Sequence, residues 1–346
     1  MLKGNAKDYV YILMRYGDIK YTYHIIDAVA MKTRKTLLDD IAQLLFVDKI
    51  WPDLQVKAYL DSSVSDIKAT YVRVNYGYDC SEITIAIIDT GIDAKPVALD
   101  DLDDDPTTWN PKVIAFKDFV NGRDDLDPSD EMDAYDDHSH GTHVAGIAAG
   151  TGAPDYKYVG VAPGAYLVGI KVLDAQGSGS MSDVVAGIEW AVDNKDTYNI
   201  RVVNLSLGAS TSSNDGTSPS AIAVDKAVLA GIVVCVAAGN EGPGSGIVGT
   251  PGDAHLAITV GAAFDSGEST KGAVTSFSSQ EPTADGRVKP DIIAPDVYIM
   301  APKANTGTGY VEMSGTSMAT PHVAGAVALL LQKDPTLDPG SSRVYL

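Results

Sequence analysis

The sequence predicts an α/β fold, a three-layer sandwich in which helices cover both faces of a central, mostly parallel sheet. Strand-length apolar runs such as Ile83–Ile88 lack the alternation of a half-exposed strand, which indicates burial on both faces. Helix-length segments separate these runs, as expected for a parallel sheet with helical connections. The composition, 45% hydrophobic and 21% charged residues, is typical of a chain with a packed core.

The predicted elements alternate along the chain. The strands are Ile83–Ile88, Tyr166–Lys171, Val202–Leu207, Val233–Ala237 and Ile258–Val260, and the helices are Gly141–Ala149, Ser182–Val192 and Ser220–Ala230. Ligand sites in such sheets lie beyond the carboxyl ends of the strands, so functional residues are expected there.

The sequence pattern of residues 1–60 predicts a separate small α+β domain of ferredoxin-like type. Its predicted elements are a helix at Asp8–Tyr16, strands at Lys20–Ile26 and Ala28–Thr33, an amphipathic helix at Lys35–Leu45, and extended segments at Val47–Ile50 and Leu54–Leu60. Residues 61–346 form the second predicted domain.

Charge also divides the chain. Residues 1–61 carry 9 basic and 8 acidic side chains, whereas residues 62–346 carry 17 and 38, and the net charge is −20. An acidic surface repels nucleic acid and anionic membranes, so neither is expected as a partner.

No apolar run is long enough for a transmembrane helix, and Met1–Asp8 lack the apolar core of a secretory signal.

The two cysteines, Cys80 and Cys235, are too few for a disulfide framework and do not have the spacing of metal ligands. Cys235 lies within an apolar run, so we expect it to be a small buried side chain.

Three polar segments lie where predicted strands end or helices begin. Asp89 follows a strand, His140 enters a helix, and Ser317 begins an apolar helical segment. A serine becomes a nucleophile when a base lies within hydrogen-bond reach and an acid orients that base, so this set predicts nucleophilic catalysis. A metal site is a weaker interpretation, because His138, His140 and His143 do not share one helix face.

Four segments resemble the signature blocks of the subtilases, the subtilisin-like serine proteases. The blocks are Ala86–Asp93, His140–Gly146, Ala238–Asn240 and Gly315–Gly325. The order Asp, His, Ser is that of subtilisin, and the loop lengths look closest to archaeal, thermophile-type subtilases. The resemblance implies a serine endopeptidase that cleaves proteins or peptides in extended conformation and needs no organic cofactor.

The resemblance also implies the role of each catalytic residue. Ser317 would attack the scissile carbonyl, His140 would take its proton, and Asp89 would hold the imidazole in the productive tautomer. Asn240 would donate a hydrogen bond to the oxyanion, together with the backbone N–H of Ser317. His138 and His143 would be structural or surface residues.

Substrate contacts follow from the same resemblance. A strand-like segment would pair with the extended peptide, and small residues would form the wall and floor of a roomy apolar pocket for the residue before the scissile bond. The pairing segment is Ser206, Leu207 and Gly208, the wall is Ala237, Ala238 and Gly239, and the floor begins at Gly249.

Residues 1–60 resemble a subtilase propeptide, although its first strand is missing. Such a domain assists folding of its own protease and inhibits it. The resemblance implies a secreted zymogen that cleaves itself between Leu60 and Asp61, with Leu60 in the apolar pocket. An ordinary accessory domain remains the alternative.

Two acidic loops have two interpretations. Clustered carboxylates suit Ca²⁺, which subtilases often bind, or they form a solvated acidic face. The candidate ligands are Asp100, Asp101, Asp103, Asp104, Asp105, Asp124, Asp125 and Asp127.

The sequence departs from the family pattern outside the catalytic residues. Gln280 and Glu281 replace the Arg-Gly that is usual in the family, and Asp296 stands where glycine is usual, so altered loop conformations are expected at Glu281 and Asp296. A protein with a blocked site that acts as a binding module is the alternative from another class. A nucleotide-binding protein is disfavoured, because no strand precedes a glycine-rich phosphate loop.

Overall fold

The chain divides into two compact units, Met1–Ala58 and Tyr59–Leu346. The computed structural model describes residues 2–22, 28–50, 60–103, 108, 110–129, 132–210, 213–244, 248–265, 272–280 and 282–346. The division lies close to the domain boundary predicted between Leu60 and Asp61.

The first unit contains short elements. They are α1 (Ala6–Leu13), β1 (Gly17–Thr22), β2 (Val29–Thr33), a 3₁₀ turn (Lys35–Leu37) and α2 (Leu38–Ala42). The two strands form an antiparallel pair, with Gly17 opposite Thr33. The helix predicted at Lys35–Leu45 is shorter in the structure, where only residues 35–42 are helical. Most of the predicted segment Leu54–Leu60 lies outside the described residues.

The second unit holds the remaining elements. They are α3 (Leu60–Asp66), α4 (Ala69–Tyr76), β3 (Thr84–Asp89), β4 (Val113–Asp118), α5 (His140–Ala149), β5 (Tyr166–Lys171), α6 (Met181–Asp193), β6 (Ile200–Leu205), α7 (Pro219–Leu229), β7 (Val233–Ala237), β8 (Ile258–Ala263), β9 (Ile292–Pro295), β10 (Ile299–Pro302), β11 (Tyr310–Met313), α8 (Thr316–Lys333) and α9 (Pro339–Tyr345). Among these helices, none is long and apolar enough to cross a membrane.

A seven-stranded sheet is the centre of the second unit. Its order is β4-β5-β3-β6-β7-β8-β9, and every described pairing is parallel. Strands β10 and β11 form a separate antiparallel pair. The predicted parallel sheet with helices around it is confirmed.

Strand β3 shows why its sequence is apolar throughout. Ile85 and Ile87 belong to one hydrophobic core, which also contains residues of α5 and α8, whereas Ala86 and Ile88 belong to the core that contains residues of α6 and α7. Alternate side chains point to opposite faces of a strand. Both faces are therefore covered, as in a three-layer sandwich.

The sheet order also locates the site. Strand β3 lies between β5 and β6, and the chain leaves β3 toward the β4 edge before it returns to β6 on the other side. Loops diverge at such a reversal and leave a crevice at the carboxyl ends of the strands. Asp89 ends β3, and Ser206 directly follows β6.

Candidate active site

The carboxylate of Asp89 contacts the imidazole of His140 at the carboxyl end of β3. The distance between Asp89 Oδ1 and His140 Nδ1 is 2.7 Å. The Asp89 side chain is fully buried, and that of His140 is 20% exposed. An ionised carboxylate accepts hydrogen bonds, so it keeps the imidazole proton on Nδ1 and leaves Nε2 free to act as a base.

The electrostatic surroundings of His140 favour its charged form. Burial alone would lower the pKa of His140, but the charge and hydrogen bond of Asp89, with the charge of Asp136, outweigh burial and raise this pKa above its ordinary value. A histidine must be neutral to accept a proton. His140 therefore loses its capacity to accept a proton as pH falls through this raised pKa.

Asp136 fastens the loop before α5 to the turn after β3. One oxygen of its carboxylate accepts a hydrogen bond from the hydroxyl of Thr90 at 2.9 Å, and the other accepts from the backbone N–H and hydroxyl of Thr142 at 2.9 and 2.8 Å. The hydroxyl of Thr90 in turn accepts from the backbone N–H of Gly141 at 2.9 Å. These bonds fix the first turn of α5, which carries His140.

Ser317 lies in the first turn of α8 and shares a pair of hydrogen bonds with Ser206. Its Oγ donates to the carbonyl of Ser206 at 3.1 Å, and Ser206 Oγ donates to the carbonyl of Ser317 at 2.8 Å. None of the hydrogen bonds found among the described residues joins Ser317 to His140. Catalytic hydrogen bonds are often long without substrate, so this geometry is compatible with a nucleophile and its base.

Asn240 is held next to the start of α8. Its Oδ1 accepts from the backbone N–H and the hydroxyl of Thr316 at 3.0 and 3.1 Å. With Oδ1 engaged, Nδ2 remains as a donor for a ligand. Gly315 has a φ of +145°, and a Cβ there would lie 3.3 Å from Asn240 Nδ2. The positive φ therefore favours glycine at position 315, and a side chain there would also press on Asn240.

A cleft of about 510 Å³ lies beside His140. Its lining includes His138, Leu173, Met181, Ser206, Leu207 and Gly208. The three predicted substrate-pairing residues thus line the same cleft as the candidate base. His138, which the sequence suggested to be structural or at the surface, is exposed and also lines this cleft.

The remaining predicted substrate residues lie next to this segment. Ala209 and Thr250 exchange backbone hydrogen bonds of 2.8 and 3.0 Å, and Gly249 donates to the carbonyl of Ala238 at 3.1 Å. Ala237 ends β7, and Gly239 follows with a φ of +103°. The predicted wall and floor segments are therefore hydrogen-bonded neighbours.

Two other histidines are buried in the second unit. Nε2 of His143 lies 2.9 and 3.0 Å from the carbonyls of Ile299 and Val311, and burial lowers the pKa of His143 to about 3. Burial likewise lowers the pKa of His322 to about 4, and its Nδ1 lies 2.9 Å from the carbonyl of Met318. Both are neutral near pH 7 and serve the packing of the helices.

Several of the described acidic candidates accept hydrogen bonds from residues near them in the chain. Asp124 accepts from Lys117 and from the N–H of Asp118, and Asp125 accepts from the N–H of Asp133 at 2.6 Å. Asp127 accepts from the N–H of Ser129 at 3.0 Å, and both oxygens of Asp103 lie within 3.2 Å of the Thr108 hydroxyl. Asp104 and Asp105 lie outside the described residues.

These contacts do not fit a calcium cage. Calcium needs six to eight oxygen ligands around one point. Across the part of the chain that the structure describes, no three His, Cys, Asp or Glu side chains lie close enough together to hold a metal ion.

A buried Asp–His pair at the carboxyl edge of a parallel sheet, with a serine at the start of a helix bonded to a residue of the same cleft, is typical of the serine hydrolases. Comparison with known proteins narrows this class. Residues 81–346 match the model of the Subtilase family. The chain is 39% identical over 322 residues to serine protease AprX of Bacillus subtilis (strain 168), which covers 87% of this chain and 68% of that protein.

Two further matches indicate the same family. Subtilisin E of Bacillus subtilis (strain 168) is 35% identical over 338 residues, which covers 96% of this chain and 78% of that protein. The solved structure of Sphericase has a TM-score of 0.65 and 30% identity, covering 80% of this chain and 87% of that one. The chain belongs to the Subtilase family and is a subtilisin-like serine endopeptidase. The finer likeness to archaeal members stays a prediction.

Proposed function

We propose that Asp89, His140 and Ser317 form the catalytic triad of this endopeptidase. The supporting observation is the 2.7 Å contact between Asp89 and His140 beside a cleft that also contains Ser206, the hydrogen-bond partner of Ser317.

The proposed reaction begins with rotation of Ser317 Oγ away from the Ser206 carbonyl. His140 Nε2 takes the hydroxyl proton while Oγ attacks the scissile carbonyl, and Asp89 stabilises the resulting imidazolium. Asn240 Nδ2 and the backbone N–H of Ser317 stabilise the negative oxygen that forms. His140 then returns its proton to the leaving amine, and water hydrolyses the acyl-enzyme by the same steps.

The substrate is proposed to be a peptide in extended conformation. Ser206, Leu207 and Gly208 would pair with its backbone, which gives affinity with little sequence selection. The wall at Ala237, Ala238 and Gly239 and the floor at Gly249 carry no charge, which favours a large apolar residue before the scissile bond. Specificity is therefore expected to be broad.

Residues 1–60 are proposed to be a propeptide, with self-cleavage between Leu60 and Asp61 and secretion of the protease, as the resemblance implies. Leu60 is the first residue of α3. Because proteases of this kind bind extended chains, cleavage at this bond requires the first turn of α3 to unwind. This feature would make processing slow compared with hydrolysis of a flexible peptide.

One experiment tests both proposals. Wild-type protein and Ser317→Ala are incubated separately, peptide hydrolysis is followed, and the amino termini are sequenced. We expect the wild type to hydrolyse peptides with a large apolar residue before the bond and to acquire a terminus at or near Asp61, whereas Ser317→Ala does neither. Normal activity with an intact Met1 terminus would overturn the propeptide proposal and leave the triad standing.

Calcium binding by the acidic loops remains a proposal with a simple test. If the loops bind Ca²⁺ in the folded state, a chelator lowers the melting temperature and added Ca²⁺ restores it. Identical melting curves with and without chelator would support the solvated acidic face instead.

A further inference from the structure

Lys171 is a buried cation close to the proposed triad. It ends β5, in register with Asp89 on β3 and with Asp118 on β4. Its side chain has no exposed area. An isolated buried charge is costly, so a lysine at such a place needs a complete set of partners.

The ammonium group has that set. Lys171 Nζ donates to the carbonyl of Thr90 at 2.6 Å, to Asp137 Oδ1 at 2.7 Å and to the carbonyl of Leu173 at 2.8 Å. Three donors thus meet three oxygen acceptors. The ring of Tyr135 lies on another side, with its centroid 5.4 Å from Nζ.

Two of these acceptors belong to the segments that carry Asp89 and His140. Thr90 directly follows Asp89 and donates its backbone N–H to the Asp89 carboxylate at 2.7 Å. Asp137 lies in the loop that leads into α5, three residues before His140. The ammonium therefore links the turn after the candidate acid to the loop before the candidate base.

A neutral amide could donate two hydrogen bonds here, but it would leave the third acceptor and the charge of Asp137 without a partner. The two acceptors from the linked segments are a carbonyl and a carboxylate, which need a donor with at least two protons directed at separate points, and a cation also balances the charge of Asp137. The Asp89–His140 contact depends on the relative position of the two segments. A shift of about 1 Å in such a contact can lower the rate on the order of 10²-fold.

We propose that Lys171 is a positioning residue of the peptidase, which holds the Asp89 turn and the His140 loop at the separation that the Asp–His hydrogen bond requires. This proposal rests on the proposed triad. It assigns Lys171 no contact with the substrate, so its loss affects turnover and leaves binding nearly unchanged.

The test compares four variants with the wild type. Lys171→Met removes the ammonium, Asp137→Ala removes one acceptor, Asp137→Asn retains an oxygen there, and Lys195→Met removes a lysine that pairs with the neighbouring Asp196. For each, kcat and KM are measured on one peptide, melting temperature is recorded, and the low-field proton NMR signal of the histidine Nδ1–H bonded to a carboxylate is compared.

We expect Lys171→Met to lower kcat roughly 10- to 100-fold with KM within about twofold, and to broaden or shift the low-field signal. Asp137→Ala is expected to lower kcat by several-fold, Asp137→Asn to lower it less, and Lys195→Met to behave as wild type. Because Asp137 is 35% exposed, its variants test the proposal even if Lys171→Met does not fold.

The proposal is overturned if Asp137→Ala keeps kcat within twofold of wild type, or if a folded Lys171→Met does so despite a lower melting temperature. Either result would make Lys171 a structural lysine only. Failure of the triad proposal would give different results. Either the wild type would hydrolyse no peptide, or the Ser317→Ala variant would be as active as the wild type.

Discussion

Two carboxylates influence His140 from different positions. Asp89 accepts its Nδ1 hydrogen bond, whereas Asp136 acts through charge and through the hydrogen bonds that fix the start of α5. The sequence predicted Asp89 because it follows an apolar strand. It could not single out Asp136, since acids outnumber bases 14 to 3 across residues 97–137 and nothing in that pattern distinguishes one buried carboxylate.

The pH dependence of catalysis tests the role of Asp89. Because Asp89 raises the pKa of His140, kcat/KM of the wild type falls as pH drops through a value above that of an ordinary histidine. Asp89→Asn removes this charge and can present an amide N–H to His140, which favours the wrong imidazole tautomer. We therefore expect kcat to fall on the order of 10⁴-fold and the acid limb of the residual activity to move to lower pH. An acid limb that stays in place would contradict this electrostatic account.

The elements that carry the site were predicted with unequal success. The strands predicted at Ile83–Ile88 and Val233–Ala237 form at or within one residue of those positions, because strands buried on both faces must be apolar throughout. Strand β4 was missed because it is flanked by acidic loops. Strands β9, β10 and β11 have only four residues each, too few to show a period.

Helices α3 and α4 were missed for another reason. Tertiary packing buries Ser63 and Ala69, and Ser63 Oγ lies 3.0 Å from Nε2 of His322 in α8. These contacts bring together residues far apart in the chain, so the local pattern gives no sign of them. The hydrogen bond also places Ser63 in the structure of the second unit, on the catalytic side of the proposed cleavage at Leu60.

Helix α5 approaches the turn after β3 so closely that only glycine fits at position 141. A Cβ on Gly141 would overlap the carbonyl oxygen of Gly91 and lie 3.1 Å from the Cβ of Asp89. We therefore expect Gly141→Ala to destabilise the protein by about 1–3 kcal/mol and to lower kcat by displacing His140.

Urea unfolding and peptide hydrolysis measure the two effects. Gly340→Ala in α9 is the control, since its Cβ would meet only an Asp338 carboxylate oxygen at 3.2 Å. Alanine is a better helix former than glycine. A Gly141→Ala variant as stable and active as the control would show that α5 does not approach the turn this closely.

Across the whole molecule, a net charge of −20 disfavours the ionised form of a buried acid. Asp296 is fully buried, its Oδ1 has no hydrogen-bond partner among the described residues, and its backbone carbonyl accepts the N–H of Gly315 at 3.0 Å. Burial, with the nearby charge of Asp265, raises the pKa of Asp296 to about 7. From the sequence, an aspartate in place of glycine was expected to alter the backbone conformation. Asp296 has no positive φ, so the unfavourable effect of this residue is electrostatic.

The sign of the pH effect follows from this raised pKa. The folded protein keeps the Asp296 proton up to about pH 7, whereas the unfolded chain releases it near 3.8, so stability falls as pH rises between these values. The loss amounts to about 4 kcal/mol above pH 7. We expect Asp296→Asn to raise the free energy of unfolding at pH 8 relative to pH 4.

This comparison is made by urea unfolding in a Ser317→Ala background, which prevents self-digestion. Asp155→Asn, at an exposed position, serves as the control and should change little at either pH. If Asp296→Asn alters stability equally at pH 4 and pH 8, Asp296 does not titrate in the folded protein as described.

The most direct test of the central claim is the site of covalent labelling by a fluorophosphonate, which reacts with an activated serine. Wild-type protein is labelled near pH 8, digested and analysed by mass spectrometry. We expect one adduct, on the peptide that contains Ser317, and no adduct in Ser317→Ala or after Asp89→Asn at the same exposure. Labelling of another serine, or equal labelling of Ser317→Ala, would contradict the assignment of the triad.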